Sequence, residues 1–114
     1  MVARTEVKLV AVESDTQHSW AVRMRETNLG DLAADAVRAS LGADIGFMNG
    51  GGIRSDVAPG EVTYGDVIAV LPFANALCMV EASGQAIVDA LEMGVRNLPE
   101  PSGSFLQTSG LSFE

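Results

Sequence analysis

Residues Met48 to Asp56 read MNGGGIRSD, an order that sets an asparagine and an arginine on either side of three consecutive glycines. Asn49 carries a donor and an acceptor suited to a base or sugar edge, and the planar guanidinium of Arg54 fits a carboxylate or phosphate. Between them Gly50, Gly51 and Gly52 lack Cβ atoms, so backbone N–H groups can converge on an anion, or a planar ligand can lie close against the chain. A triple glycine alone reads more simply as a tight turn with positive φ, and it is the polar flanks that point toward a ligand cradle. Two other stretches are candidates to join it. In VRMRETN, Arg23 precedes a helix start, where free N–H groups and the helix dipole favour negative charge. Arg25, in the same stretch, reads as a solvated or ion-paired residue. In VLPFAN, Phe73 follows a proline in a loop and offers a π-face to a base, although a core position is the commoner place for phenylalanine.

The rest of the reactive inventory is thin. The chain has one histidine, His18, in the polar stretch SDTQHSW, and one cysteine, Cys78, in the apolar run ANALCMVEA. One histidine does not build a dinuclear metal site, and none is left over to act as base for a serine or cysteine nucleophile. His18 therefore reads as a solvated loop residue and Cys78 as a packed thiol. No catalytic residue and no metal ligand is assigned, and the chain by itself is expected to hydrolyse nothing.

The elements that must position these residues are legible from periodicity and caps. TEVKLVAVES alternates Val7, Leu9 and Ala11 and suits a strand, and SWAVRMRE alternates Trp20, Val22 and Met24 in the same way. At Thr27 and Asn28 a capping pattern opens a helix over 28–41, with Leu29, Leu32, Ala33, Ala36, Val37 and Leu41 as its stripe and Gly42 as its stop. ADIGFMN predicts a short buried strand running into the glycines, and Pro59-Gly60 a turn. Thr63 with Asp66 caps a short helix over 64–70, which Pro72 stops. Ala76 to Ala82 reads as another strand, and Ser83 caps a helix over 84–96 whose Ile87, Val88, Leu91 and Val95 face the core. SFLQTSGLSFE gives one or two strands broken by Gly110. The expected architecture is a single α+β domain over 1–114, a mixed β-sheet with two main helices and a short third.

Composition limits the partners. At 114 residues the chain suits one domain with one core, and 7 basic against 15 acidic residues give a net charge of −8. That balance argues against a nucleic-acid polymer or an anionic membrane surface, so an anion must be bound locally. No stretch approaches the ~18 apolar residues of a membrane span, and MVARTEVKLV lacks the apolar segment of a signal peptide. The chain reads as soluble, and a leader removed from a longer, exported or periplasmic precursor is compatible with it.

In order and spacing, VRMRETNLGDLAADAV, NGGGIRSDVAPGEVTYGDV, VLPFAN and GSFLQTSGLSFE resemble the C-terminal domain of the 5′-nucleotidases, a family that includes ecto-5′-nucleotidase and the bacterial UDP-sugar hydrolases. The resemblance runs from about Thr5 to the end of the chain. It implies a substrate-recognition role: Arg23, Asn49 and Arg54 stand where the family contacts the nucleotide, Gly50 to Gly52 form the loop floor, and Phe73 stands where a phenylalanine stacks on the base. It also implies that catalysis belongs to an N-terminal metallophosphoesterase domain holding two divalent metal ions, which this chain does not contain. Two departures accompany it. The family's further segment NGGDGF, whose phenylalanine forms the other wall of the base clamp, does not follow Glu114, and Phe105 and Phe113 match core or strand positions instead. Without that segment, base stacking is expected to be weaker and a sheet edge to be open to self-association. The second departure is Ala74, where the family often has glycine. A nucleoside monophosphate is thus the implied ligand, with a stand-alone small-ligand module or a non-binding, self-associating fragment as the competing readings.

Overall fold

The computed structural model describes residues 2–12 and 20–113. Its elements, in chain order, are β1 (Ala3–Thr5), a 3₁₀ turn (Ala21–Arg23), α1 (Asn28–Leu41), β2 (Gly46–Asn49), a second 3₁₀ turn (Gly50–Gly52), β3 (Gly60–Val62), α2 (Tyr64–Val70), α3 (Gly84–Val95) and β4 (Leu106–Ser109). The α+β class and the three helices are those the sequence predicts.

Each helix starts where a short polar side chain satisfies an amide the helix cannot. Thr27 Oγ1 accepts from Gly30 N at 2.9 Å, Ser83 Oγ accepts from Ala86 N at 3.1 Å, and Thr63 with Asp66 forms a reciprocal capping box. Gly42 closes α1 in the left-handed conformation. The buried face of α1 is Leu29, Gly30, Ala33 and Ala34, while Leu32 and Ala36 point to solvent. Small residues win that face because β2 and β4 pack close against it. Along α3, Ile87, Leu91 and Val95 are half-buried and Val88 is exposed.

The strands pair as two separate two-stranded antiparallel ladders, β1 with β3 and β2 with β4, where one mixed sheet was expected. The difference has local causes. Of the described part of TEVKLVAVES, only Thr5, the last residue of β1, and a single bridge from Leu9 to Val57 are paired, because the carboxylate of Asp56 takes the amides of Ala11 and Val12 at 2.6 and 2.9 Å and ends the ladder there. SWAVRMRE, described from Trp20 onward, curls into the 3₁₀ turn: Ala21 O accepts from both Met24 N and Arg25 N, a closure no strand makes. Ala76 to Ala82 joins no strand among the described residues and is exposed along its whole length. Val80 is its one strongly β-favouring residue, and among the described residues no neighbouring strand supplies the cross-strand packing that strand preference depends on. Cys78 is consequently an exposed free thiol, not the packed one its apolar surroundings suggest.

The core gathers Ala11, Val22, Leu29, Ala33, Ile53, Val57, Val62 and Val70, with Leu9, Val12, Trp20 and Met48 packed against it. Ile53, directly after the glycines, is fully buried. It anchors the loop that carries the candidate ligand groups.

Candidate functional site

β2 delivers Asn49 to the start of the glycine turn, opposite Leu106 of β4. From there each glycine is placed by contact. A Cβ on Gly50 would lie 2.0 Å from Val22 O and 3.1 Å from Arg23 Cα, so a side chain at this position would force the loop away from the turn that carries Arg23. None of the three glycines has positive φ; close approach, not a left-handed turn, is what excludes larger residues here. Two amides of the run are already engaged, Gly50 N donating to Phe105 O at 2.7 Å and Gly51 N to Gly103 O at 3.1 Å. The glycine run therefore works as a hub between the 21–23 turn, β2 and the 102–105 loop, and an anion gathered by those two amides is not what it provides.

Asn49 is exposed, and its Nδ2 donates to Gly103 O at 3.1 Å, which leaves its side-chain carbonyl, beside Gly52, as the acceptor of the amide. Arg54 is exposed as well. Its backbone N–H donates to Val70 O at 2.8 Å, tying the glycine loop to the end of α2 and so to the turn that bears Phe73. Its guanidinium reaches Gly51 O at 3.5 Å and sits 5.9 Å from the centroid of the Phe73 ring. Phe73 is 55% exposed, a large apolar face left in solvent beside a cation. Arg23, half-buried at the end of its turn, offers its backbone carbonyl to Ser102 N at 2.9 Å. The Nε of Arg23 is buried with no hydrogen-bond partner. Thus Arg23, Asn49, the glycines, Arg54 and Phe73, spread over 51 positions of sequence, are joined through shared backbone contacts.

Two residues that sequence reasoning passed over hold this arrangement. Trp20 lies with its ring centroid 5.0 Å from Arg23 Cζ and 5.0 Å from Arg54 Cζ. Gln107, 1% exposed, donates from Nε2 to Val22 O at 3.0 Å and Arg25 O at 2.8 Å and accepts from Thr27 N at 3.3 Å. It bolts the Arg23 turn to β4. The signal for Gln107 is in the alternation Phe105, Gln107, Ser109: all three are buried, so the inward face of the strand carries an amide that must find partners. Phe105 takes the core position expected of it, whereas Phe113 is largely exposed.

The electrostatics are simple. Lys8 pairs with Asp56 at 3.4 Å. Burial works to raise the Asp56 carboxyl, but hydrogen bonds from Ala11 N and Val12 N and the Lys8 ammonium outweigh it and hold the group below the usual carboxylate range. Arg25 is exposed, with a guanidinium nitrogen 3.4 Å from Glu26 O. His18 lies outside the described residues. Among the described residues no three His, Cys, Asp or Glu side chains converge as metal ligands would, so they do not fit a dinuclear centre, and no helix among them is long and apolar enough to cross a membrane.

Comparison with known proteins agrees with the motifs. The family model described as "5′-nucleotidase, C-terminal domain" matches residues 2–114. The trifunctional nucleotide phosphoesterase protein YfkN of Bacillus subtilis is 39% identical over 108 residues, 91% of this chain and 7% of that protein. A 5′-nucleotidase of Vibrio parahaemolyticus is 42% identical over 91 residues, 80% of this chain and 16% of its own length. Among solved structures, the 5′-nucleotidase precursor from Thermus thermophilus superposes with a TM-score of 0.78 at 38% identity, covering 96% of this chain and 21% of that one. The chain thus spans about a fifth or less of the relatives it matches, and within them it is one particular part: it belongs to the 5′-nucleotidase C-terminal domain family.

Proposed function

We propose that this domain recognises a nucleoside monophosphate and holds it for hydrolysis by a metallophosphoesterase domain elsewhere in a longer protein. The observation that supports this best is the meeting of two arginines and an exposed aromatic ring from three separate segments, with Arg54 within cation–π range of Phe73. Arg23 and Arg54 have no carboxylate partner among the described residues, so their charge is available to a phosphate or a ribose hydroxyl. Asn49 presents an acceptor for a base or sugar edge. Phe73 supplies one stacking wall for the base. Gly50, Gly51 and Gly52 are assigned to the floor of the site through the close packing they allow against Val22, Gly103 and Met48, which sets where Asn49 and Arg54 project. The chemistry of hydrolysis is assigned to two divalent ions held by the other domain, as the resemblance to the 5′-nucleotidases implies.

Calorimetry with 5′-AMP and with adenosine tests the reading. The unsubstituted chain should release heat with AMP, and Arg54→Ala should lose about tenfold or more in affinity, since a charge-assisted contact contributes ~1.5–3 kcal/mol. Equal binding isotherms for the two proteins would remove the case for this site.

A second reading rests on a different surface. Leu77, Met79 and Val80 are exposed side by side, Val80 at 74%, in a segment with no partner strand among the described residues. Such a strip favours self-association. Sedimentation velocity between low and high micromolar concentrations should show a rising mean mass, and Met79→Lys should suppress it.

A further inference from the structure

Both arginines of the proposed ligand site meet on one residue that the site itself does not use. Cζ of Arg23 and Cζ of Arg54 each lie 5.0 Å from the centroid of the Trp20 ring, so the two cations cannot be farther apart than twice that distance. Neither is paired with a carboxylate among the described residues. With no carboxylate beside them among the described residues, the attraction that offsets their repulsion is cation–π, and an indole face gives the strongest such attraction of the aromatic side chains. Arg23 adds a second sign. Its Nε is buried and makes no hydrogen bond, so packing on the ring, more than any fixed donor–acceptor pair, sets where its guanidinium lies. The indole is itself half-buried and packed against the core that includes Val22 and Ile53.

We infer that Trp20 is a positioning residue: it presents the guanidinium groups of Arg23 and Arg54 as a preorganised pair to one anionic group, the phosphate of the ligand. This rests on the nucleotide site proposed above. Preorganisation matters here because an arginine side chain otherwise gives up much rotamer freedom on binding. An anion arriving between the two cations also relieves their mutual repulsion, which makes the pair more selective for phosphate than either arginine alone.

Two measurements on the 114-residue chain test this. In side-chain NMR spectra, with assignments from Arg23→Lys and Arg54→Lys, the guanidinium protons of both arginines should be shifted upfield by the indole ring current. Trp20→Leu should abolish both shifts and leave Arg38, which bonds to Ser109 instead, unmoved. In calorimetry with 5′-AMP, Trp20→Leu should weaken affinity about five- to thirty-fold, while Trp20→Phe and Trp20→Tyr, which keep a π-face, should stay within about threefold. Urea curves for each variant separate loss of fold from loss of binding.

Upfield shifts with AMP binding unchanged in Trp20→Leu would overturn the positioning role and leave the nucleotide site standing. Upfield shifts in a chain that does not bind AMP at all would overturn the nucleotide site and, with it, the ligand side of this inference, while the arginine platform remained. Absence of the shifts from the unsubstituted chain would overturn the platform outright, and that result can be read even if Trp20→Leu does not fold.

Discussion

Replacing Gln107 by leucine removes the bolt between β4 and the Arg23 turn while nearly preserving volume, and its cost can be worked from the contacts. Three hydrogen bonds disappear: those to Val22 O, Arg25 O and from Thr27 N. Arg25 is exposed, so water can replace its partner, but Val22 and Thr27 are buried. The two stranded groups each carry a desolvation penalty of about 1–3 kcal/mol, offset in part by the more favourable burial of a leucine side chain. The net loss should be about 2–4 kcal/mol, a large share of the 5–15 kcal/mol typical of a domain, and should lower the urea midpoint by roughly 1–2 M. Gly30 provides the internal control, because a Cβ there would lie 2.2 Å from Gln107 Oε1. Gly30→Ala should therefore be costly alone and much less so in a Gln107→Ala background, a coupling that contacting residues show and distant ones do not. A Gln107→Leu variant within about 0.5 kcal/mol of the parent, or additive Gly30 and Gln107 effects, would refute the bolt.

Three further predictions concern single residues. Ala74 sits at φ +52°, the left-handed region, so Ala74→Gly should relieve strain and raise stability by about 1 kcal/mol in urea titrations; an unchanged or lower midpoint would contradict it. Asp31 is pushed up from 3.8 to about 6, first by burial and then by the carboxylates of Glu26 and Asp35. A folded-state value above the unfolded one means the native protein binds the proton more tightly. Its contribution to stability is thus present in acid and lost as pH rises through the window from 3.8 to about 6; Asp31→Asn should flatten that part of the stability profile. Cys78, being exposed, should react with a thiol reagent in native buffer at a rate within about tenfold of a small free thiol, whereas protection until denaturant is added would show the 76–82 segment to be covered.

What the sequence made legible is what depends on neighbours along the chain. Thr27, Thr63, Asp66 and Ser83 cap their helices because an N-cap interaction spans three residues, and a reader of the chain sees both partners at once. Alternation misled at Trp20 to Met24 for the opposite reason. A period of two records which side chains are apolar, not whether a strand exists to pair with, and here carbonyls that a ladder would use are claimed by Gln107, more than eighty residues away. The candidate site divides along the same line. Arg23, Asn49, Arg54 and Phe73 stand out by type and motif, yet the contacts that tie their segments together involve Gly50 pressed against Val22, Gln107 and Trp20, none of which announces a ligand. Triple glycine looked like freedom of conformation, and the fold uses it for nearness. A loop that can touch the Arg23 turn brings two like charges onto one indole ring, neither paired with a carboxylate among the described residues; on the function proposed above, an anionic, aromatic ligand is what would complete that pair beside the exposed Phe73.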